Sequence, residues 1–201
     1  MKKSVFGFSV RDIAEIAILV ALALGLDKLK ISVGATGGSV NFAMFPLFVI
    51  ALRHGPFKGF IAGGIVYGLI SCLLDEYGMQ FYAFDYLIPF GAPALLGFIA
   101  KYVDNHFDTE FNKKNALGIV LSYVFIAVGI MAVGGIRILS SSINSVLFYE
   151  YTYGAGLAYN LSYCLPSAIG SMIIVLLLLP TIVLLNKRFR TTFLSYKKEA
   201  K

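Results

Sequence analysis

Carboxylates set among aromatic rings make a receptor for an organic cation, and two stretches of this sequence are rich in both. Tyr82 and Tyr86 accompany Asp75, Glu76 and Asp85 in the first, and Tyr149, Tyr151 and Tyr153 accompany Glu150 in the second. Tyr159, Asn160 and Tyr163 follow shortly afterwards. The face of an aromatic ring attracts positive charge through its quadrupole, by about 2 kcal/mol or more once water is excluded. A carboxylate adds the formal counter-charge. Asn160 and the Ser140-Ser141-Ser142 run offer hydrogen bonds to a polar ligand, although helix serines also bond back to their own carbonyls. Asp85 falls about one turn inside an apolar segment, where an ionisable side chain is costly and marks a functional site by default. Its alternative role is a structural pair with Arg137.

Bond-making chemistry has no comparable footing. The chain lacks GxxxxGK[ST], HExxH and GxSxG patterns. His54 and His106 lie far from the tyrosine-rich stretches, His54 within the tight turn Arg53-His54-Gly55-Pro56. Cys72 and Cys164 fall in apolar segments without CxxC spacing, which suits packing better than a disulfide or zinc site. The expectation is a protein that binds, with no catalytic residues, no metal and no cofactor.

The elements that must position these residues follow from composition. Hydrophobic residues make up 58% of the 201 and charged residues only 14%, whereas a soluble domain carries about a quarter charged. A bilayer core about 30 Å thick needs about 20 mostly apolar residues per helix. The sequence predicts an all-α membrane protein, one domain folded as a six-transmembrane-helix bundle. The spans are expected near residues 11–33, 39–52, 57–74, 81–100, 115–139 and 157–185, with a basic tail at 186–201. The first apolar run is Ile13 to Leu26, extendable to Val33, with Asp27-Lys28 as an ordinary helix end. Lys2 and Lys3 before a run ending Ala21-Leu22-Ala23 imitate a secretory signal, but the later spans need a partner helix. Pro46, Pro89, Pro93, Pro166 and Pro180 fall inside spans, as kinks or as breaks beside a cavity.

Basic residues favour the cytoplasmic side of membrane proteins. With both termini cytoplasmic, all but Lys28, Lys30 and Arg137 of the seventeen lie on the inner side. The net charge of +6 then reflects contact with anionic headgroups and calls for no nucleic acid. The tyrosine-rich stretches all fall on the outer side, whereas an anchoring belt occupies both faces. The charged loop from Lys101 to Lys114 is too short for a catalytic domain.

Four local patterns resemble one family in the right order. They are Gly37-Gly38-Ser39-Val40-Asn41-Phe42-Ala43-Met44-Phe45-Pro46, the turn from Ala51 to Gly59, Asp85-Tyr86-Leu87-Ile88-Pro89, and Tyr159-Asn160-Leu161-Ser162-Tyr163-Cys164-Leu165-Pro166. Together they resemble the substrate-binding S components of energy-coupling-factor (ECF) vitamin transporters, closest to the thiamine-specific branch. The resemblance runs from about Arg11 to Leu185. It implies a six-helix bundle that binds thiamine, or a thiamine-like cationic vitamin or precursor, near the extracellular face. It also implies a membrane coupling (T) protein and two cytoplasmic ATPases as partners in the prokaryotic plasma membrane. Ala17 and Ala21 stand where the family packs its first helix on the coupling protein; small residues four apart allow such close approach.

Carried over residue by residue, the resemblance implies a site formed by Asp85, Tyr86, Asn160, Tyr163, Tyr149, Ser141 and Tyr82. The chain departs from the family pattern in several places. Asp85 replaces the usual Glu, Ser141 a His, Ser145 a Gly and Ser167 a Glu, and Tyr149 falls where a Trp is typical. Two alternatives stand beside thiamine: an S component for a different vitamin, and a non-transport membrane protein or enzyme.

Overall fold

The computed structural model describes residues 7–33, 38–107 and 115–195. Lys2, Lys3, Gly37, Lys113, Lys114, Lys197, Lys198 and Lys201 lie outside the described residues, as does all of the tail beyond Ser195.

Helix α1 (Val10–Lys28) begins with a capping box, in which Ser9 and Asp12 exchange side-chain and backbone hydrogen bonds. It stops at Lys28 and does not run on to Val33. Strand β1 (Ile31–Val33) pairs antiparallel with β2 (Gly38–Val40), Ser32 opposite Ser39. The β-branched Ile31, Val33 and Val40 favour extended backbone, and the pairing supplies the hydrogen bonds a helix would have given.

Four helical runs among the described residues are long and apolar enough to cross a membrane: Met44–Asp75, Met79–His106, Ala116–Phe148 and Tyr153–Arg188. The first comprises α2 (Met44–Phe60), a π-helical segment (Ile61–Tyr67) and α3 (Gly68–Asp75). It is not straight. Gly55 has φ +83°, and a Cβ at Gly59 would lie 3.4 Å from the Ala51 Cα. Residues eight apart in one straight helix are separated by about 12 Å. A Cβ on Gly63 would likewise come within 3.6 Å of Leu47, sixteen positions back. The chain therefore reverses at Gly55-Pro56, and the segments on either side pack antiparallel. Gly55 supplies the left-handed φ, and Pro56 starts the return segment without needing a backbone donor.

The second run is irregular for a covalent reason. Pro89 and Pro93 have no N–H to give the carbonyls four residues earlier. The chain answers with a π-helical turn at Tyr82–Leu87, a short α4 (Ile88–Gly91), a 3₁₀ stretch at Ala92–Phe98 and α5 (Ala100–His106). The long helices α6 (Ala116–Phe148) and α7 (Tyr153–Arg188) pack along each other, and Gly134 meets Ala168 at their contact.

A buried ionic cluster closes the end of the bundle where α1 begins and α2 turns. Lys58, fully buried, donates to Asp12 at 2.8 Å and also to Thr192 of the short α8 (Thr192–Ser195). Arg53 donates to Glu15 and, at 3.0 Å, to Asn186. His54 lies between the two acids, 3.6 Å from Asp12 and 3.7 Å from Glu15. Cys72 and Cys164 are buried free thiols.

Removing one partner of a buried ion pair strands the other, at about 3–5 kcal/mol. Lys58→Met should therefore lower the thermal unfolding midpoint in detergent by many degrees. Adding Asp12→Asn should recover most of the loss, because no uncompensated carboxylate remains.

Candidate ligand-binding site

At the opposite end of the bundle lies a cavity of about 90 Å³, walled by α1, the β-hairpin, α3, the Tyr82–Leu87 turn, α6 and α7. Helical spacing makes the α6 wall. Arg137, Ser141 and Ser145 stand four residues apart on one face, and all three are buried and line the cavity. The π-helical turn aims Asp85 and Tyr86 inward from the facing side.

Asp85 accepts a hydrogen bond from Asn144 Nδ2, and among the described residues no cation lies within 4.0 Å of its carboxylate. The pair with Arg137 is not formed. Asn160 is fully engaged: its Nδ2 donates to Ser145 Oγ at 2.9 Å and to the Gly156 carbonyl at 2.8 Å, while its Oδ1 accepts from the Tyr163 hydroxyl. Tyr86 donates to Asp75 at 3.1 Å, and Lys30 approaches the same carboxylate at 3.5 Å.

The aromatic wall is continuous. Phe81 stacks on Tyr149 with centroids 5.4 Å apart and planes 18° from parallel. Tyr149 leads to Tyr151, Tyr151 to Tyr159, and Tyr159 to Tyr163, at centroid distances of 6.5, 6.2 and 5.4 Å. Tyr159 also holds the hairpin. Its hydroxyl accepts from Gly38 N at 2.8 Å and donates to the Val33 carbonyl at 2.9 Å, touching both strands. A Cβ at position 38 would collide with Tyr159 and Tyr163, so only glycine lets the strand come this close.

Six of the seven residues singled out from sequence meet here: Asp85, Tyr86, Asn160, Tyr163, Tyr149 and Ser141. Tyr82 does not. It turns away and donates to the Gly64 carbonyl at 3.0 Å. Sequence reasoning missed Asp27, which is no ordinary helix end. It is buried, accepts from Asn41 Nδ2 at 2.8 Å and lines the cavity with Asn41. The signal was its spacing, since Val20, Ala23 and Asp27 form the buried stripe of α1. Of the other acids singled out from sequence, Glu76 and Glu150 take positive φ in turns and remain exposed. Among the described residues no group of three His, Cys, Asp or Glu side chains is placed to hold a metal.

Residues 13–187 match the profile of the family described as thiamine transporter protein. The chain belongs to that family. The thiamine transporter ThiT of Bacillus subtilis is 30% identical over 180 residues, covering 83% of this chain and 89% of the relative. A solved structure of ThiT from Listeria monocytogenes shares the fold, with a TM-score of 0.66 at 21% identity over 87% of this chain and 97% of that one. As a member of the thiamine transporter family the chain is a multi-pass membrane protein of the transporter class, and its aromatic cavity faces the question of substrate.

The two hydrogen bonds made by Tyr159 generate a measurable expectation. Each is worth about 0.5–1.5 kcal/mol net. Tyr159→Phe should leave the bundle folded and raise amide exchange in residues 31–33 and 38–40 by about tenfold.

Proposed function

We infer that this protein is the substrate-capturing S component of an ECF-type importer and that thiamine is its ligand. The observation that carries the reading is Asp85, a carboxylate with no cation within 4.0 Å among the described residues, opening on a cavity walled by tyrosines. Thiamine carries one fixed positive charge on an aromatic ring, and both features have a counterpart here. The ring lies against the tyrosine wall, Tyr149 foremost, and its charge faces Asp85. Tyr86, Ser141, Asn160 and Tyr163 shape the cavity and limit how the ligand turns. Family membership and the ThiT relatives support the same substrate.

The chain is then an importer subunit and not an enzyme, with ATP hydrolysis carried by two cytoplasmic ATPases through a membrane coupling protein. Six crossings with both termini cytoplasmic suit this role. The reversal at Gly55 supports that count, since it divides the Met44–Asp75 run into two antiparallel segments. The inner-side bias of basic residues supports the orientation. Ala17 and Ala21 are exposed on α1 beside an apolar groove that also includes Ile61 and Val66, a surface suited to the coupling protein.

Serine at 141 and tyrosine at 149 favour a second reading, the same transporter fold with another cationic vitamin or precursor. A direct titration separates the two. Asp85→Asn should weaken thiamine binding at least about tenfold, the scale of about 1.4 kcal/mol. Unchanged affinity in the variant would remove Asp85 from the site, and binding of another vitamin in preference to thiamine would move the substrate.

A further inference from the structure

Two arginines far apart in sequence converge on one ring at the end of the bundle where α1 begins. The Arg11 guanidinium lies 4.7 Å from the centroid of Phe189, and the Arg188 guanidinium 5.6 Å from it. Arg11 stands in the first turn of α1, and Arg188 and Phe189 close α7. Thr192 donates to Asp12 at 2.7 Å, which draws the end of α7 against the start of α1. Both arginines are exposed, and so is 40% of Phe189.

Neither guanidinium has a carboxylate within 4.0 Å among the described residues. The neighbouring Asp12 is committed to Lys58, Ser9 and Thr192. Arg188 has a local reason for its place, since a cation at a helix C-terminus complements the macrodipole. Arg11 has the reverse. It sits at the positive end of α1, where a cation is unfavourable, and reaches toward a second positive charge. With one ring between their reaches, the two repel across roughly a Debye length at most. Cation–π attraction to Phe189 offsets part of this, but a ring carries no counter-charge. An anion does.

The surroundings say what kind of anion. Ile18 and Leu22 follow Arg11 on its face of α1, and Leu184 and Leu177 precede Arg188 on its face of α7. All four are exposed. Arg11 to Leu22 and Leu177 to Arg188 each rise about 16 Å at 1.5 Å per residue, and half of a hydrocarbon core is about 15 Å. The arginine pair therefore stands over an apolar surface one leaflet deep. The tail beyond Ser195 does not supply the charge, since it holds Lys197, Lys198 and Lys201 against Glu199.

We propose that Arg11, Arg188 and Phe189 form a headgroup site for an anionic phospholipid, whose phosphate bridges the two guanidiniums while its acyl chains lie along the apolar strips of α1 and α7. The paired donors of a guanidinium match the two free oxygens of a phosphodiester, and basic pockets between membrane helices bind such headgroups. The site lies at the opposite end of the bundle from the tyrosine-walled cavity and on another face of α1 from the Ala17 and Ala21 groove. It stands whatever the substrate is.

The test melts full-length protein in a nonionic detergent with added phosphatidylglycerol, phosphatidylcholine or inorganic phosphate. A ligand of the folded state raises its stability by mass action. Phosphatidylglycerol should raise the melting temperature by at least about 3 °C over phosphatidylcholine. Arg11→Gln combined with Arg188→Gln should abolish that difference while the lipid-free protein melts within about 2 °C of wild type. Arg190→Gln, two residues on and tied to Asp104, should retain the difference over its own baseline. Equal shifts with the two lipids in wild type would overturn the proposal. An equal loss in Arg190→Gln would also overturn it, by showing a diffuse charge effect, as would a shift that inorganic phosphate alone reproduces.

Discussion

An ionisable side chain enclosed in a lipid-covered bundle has three outcomes available: a partner of opposite charge, a set of hydrogen bonds, or a cavity that a ligand enters. This constraint arranges the whole molecule, because desolvating a charge without compensation costs several kcal/mol. At the end where α1 begins, the first outcome dominates. Asp12 pairs with Lys58 and Glu15 with Arg53, and Asn186 and Thr192 take up further bonds. At the other end the third dominates. Asp85 and Arg137 stay apart although they line one cavity, and neither has a charged partner within reach among the described residues. One end holds helices together, and the other keeps charge available.

The backbone serves the same division. The reversal at Gly55 brings Arg53, His54 and Lys58 onto α1, so the tight turn and the ionic cluster are one construction. Phe193 packs against Gly55 where any side chain would collide, which seats the α8 segment beneath the turn. On the cavity side, Pro89 forbids a regular helix through Asp85. The resulting π-helical turn carries Asp85 and Tyr86 toward α6. Irregular backbone is tolerated at membrane depth where it lines a cavity or is covered by protein.

Much of this was legible in the sequence, and the parts that were not have physical reasons. Apolar runs marked the helices, and Arg53-His54-Gly55-Pro56 marked the turn that divides one of them. Asp85, Asn160 and the tyrosines could be singled out because a polar side chain in an apolar run stands out by type. Asp27 did not stand out, because an acid followed by a lysine at a helix end looks solvent-exposed; only its register with Val20 and Ala23 places it inward. The β-hairpin was hidden for a similar reason. Six residues in two short strands carry too little pattern, and their pairing depends on Tyr159, more than a hundred positions away. Tyr82 shows the opposite case. Its neighbours Asp85 and Tyr86 face the cavity, but the wide turn rotates Tyr82 toward Gly64. Side-chain direction inside a π-helical turn does not follow from the 3.6-residue repeat.

The central claim is that the cavity recognises positive charge on an aromatic ring. The most direct measurement is a calorimetric comparison of thiamine with an analogue in which an uncharged thiophene replaces the thiazolium, titrated into purified wild-type protein. The two ligands share shape and hydrogen-bonding groups and differ in the charge that Asp85 and the tyrosines would feel. Thiamine should bind more tightly by at least about tenfold, about 1.4 kcal/mol. Equal affinity for the two would contradict it, because the carboxylate and the aromatic wall would then be bystanders to binding.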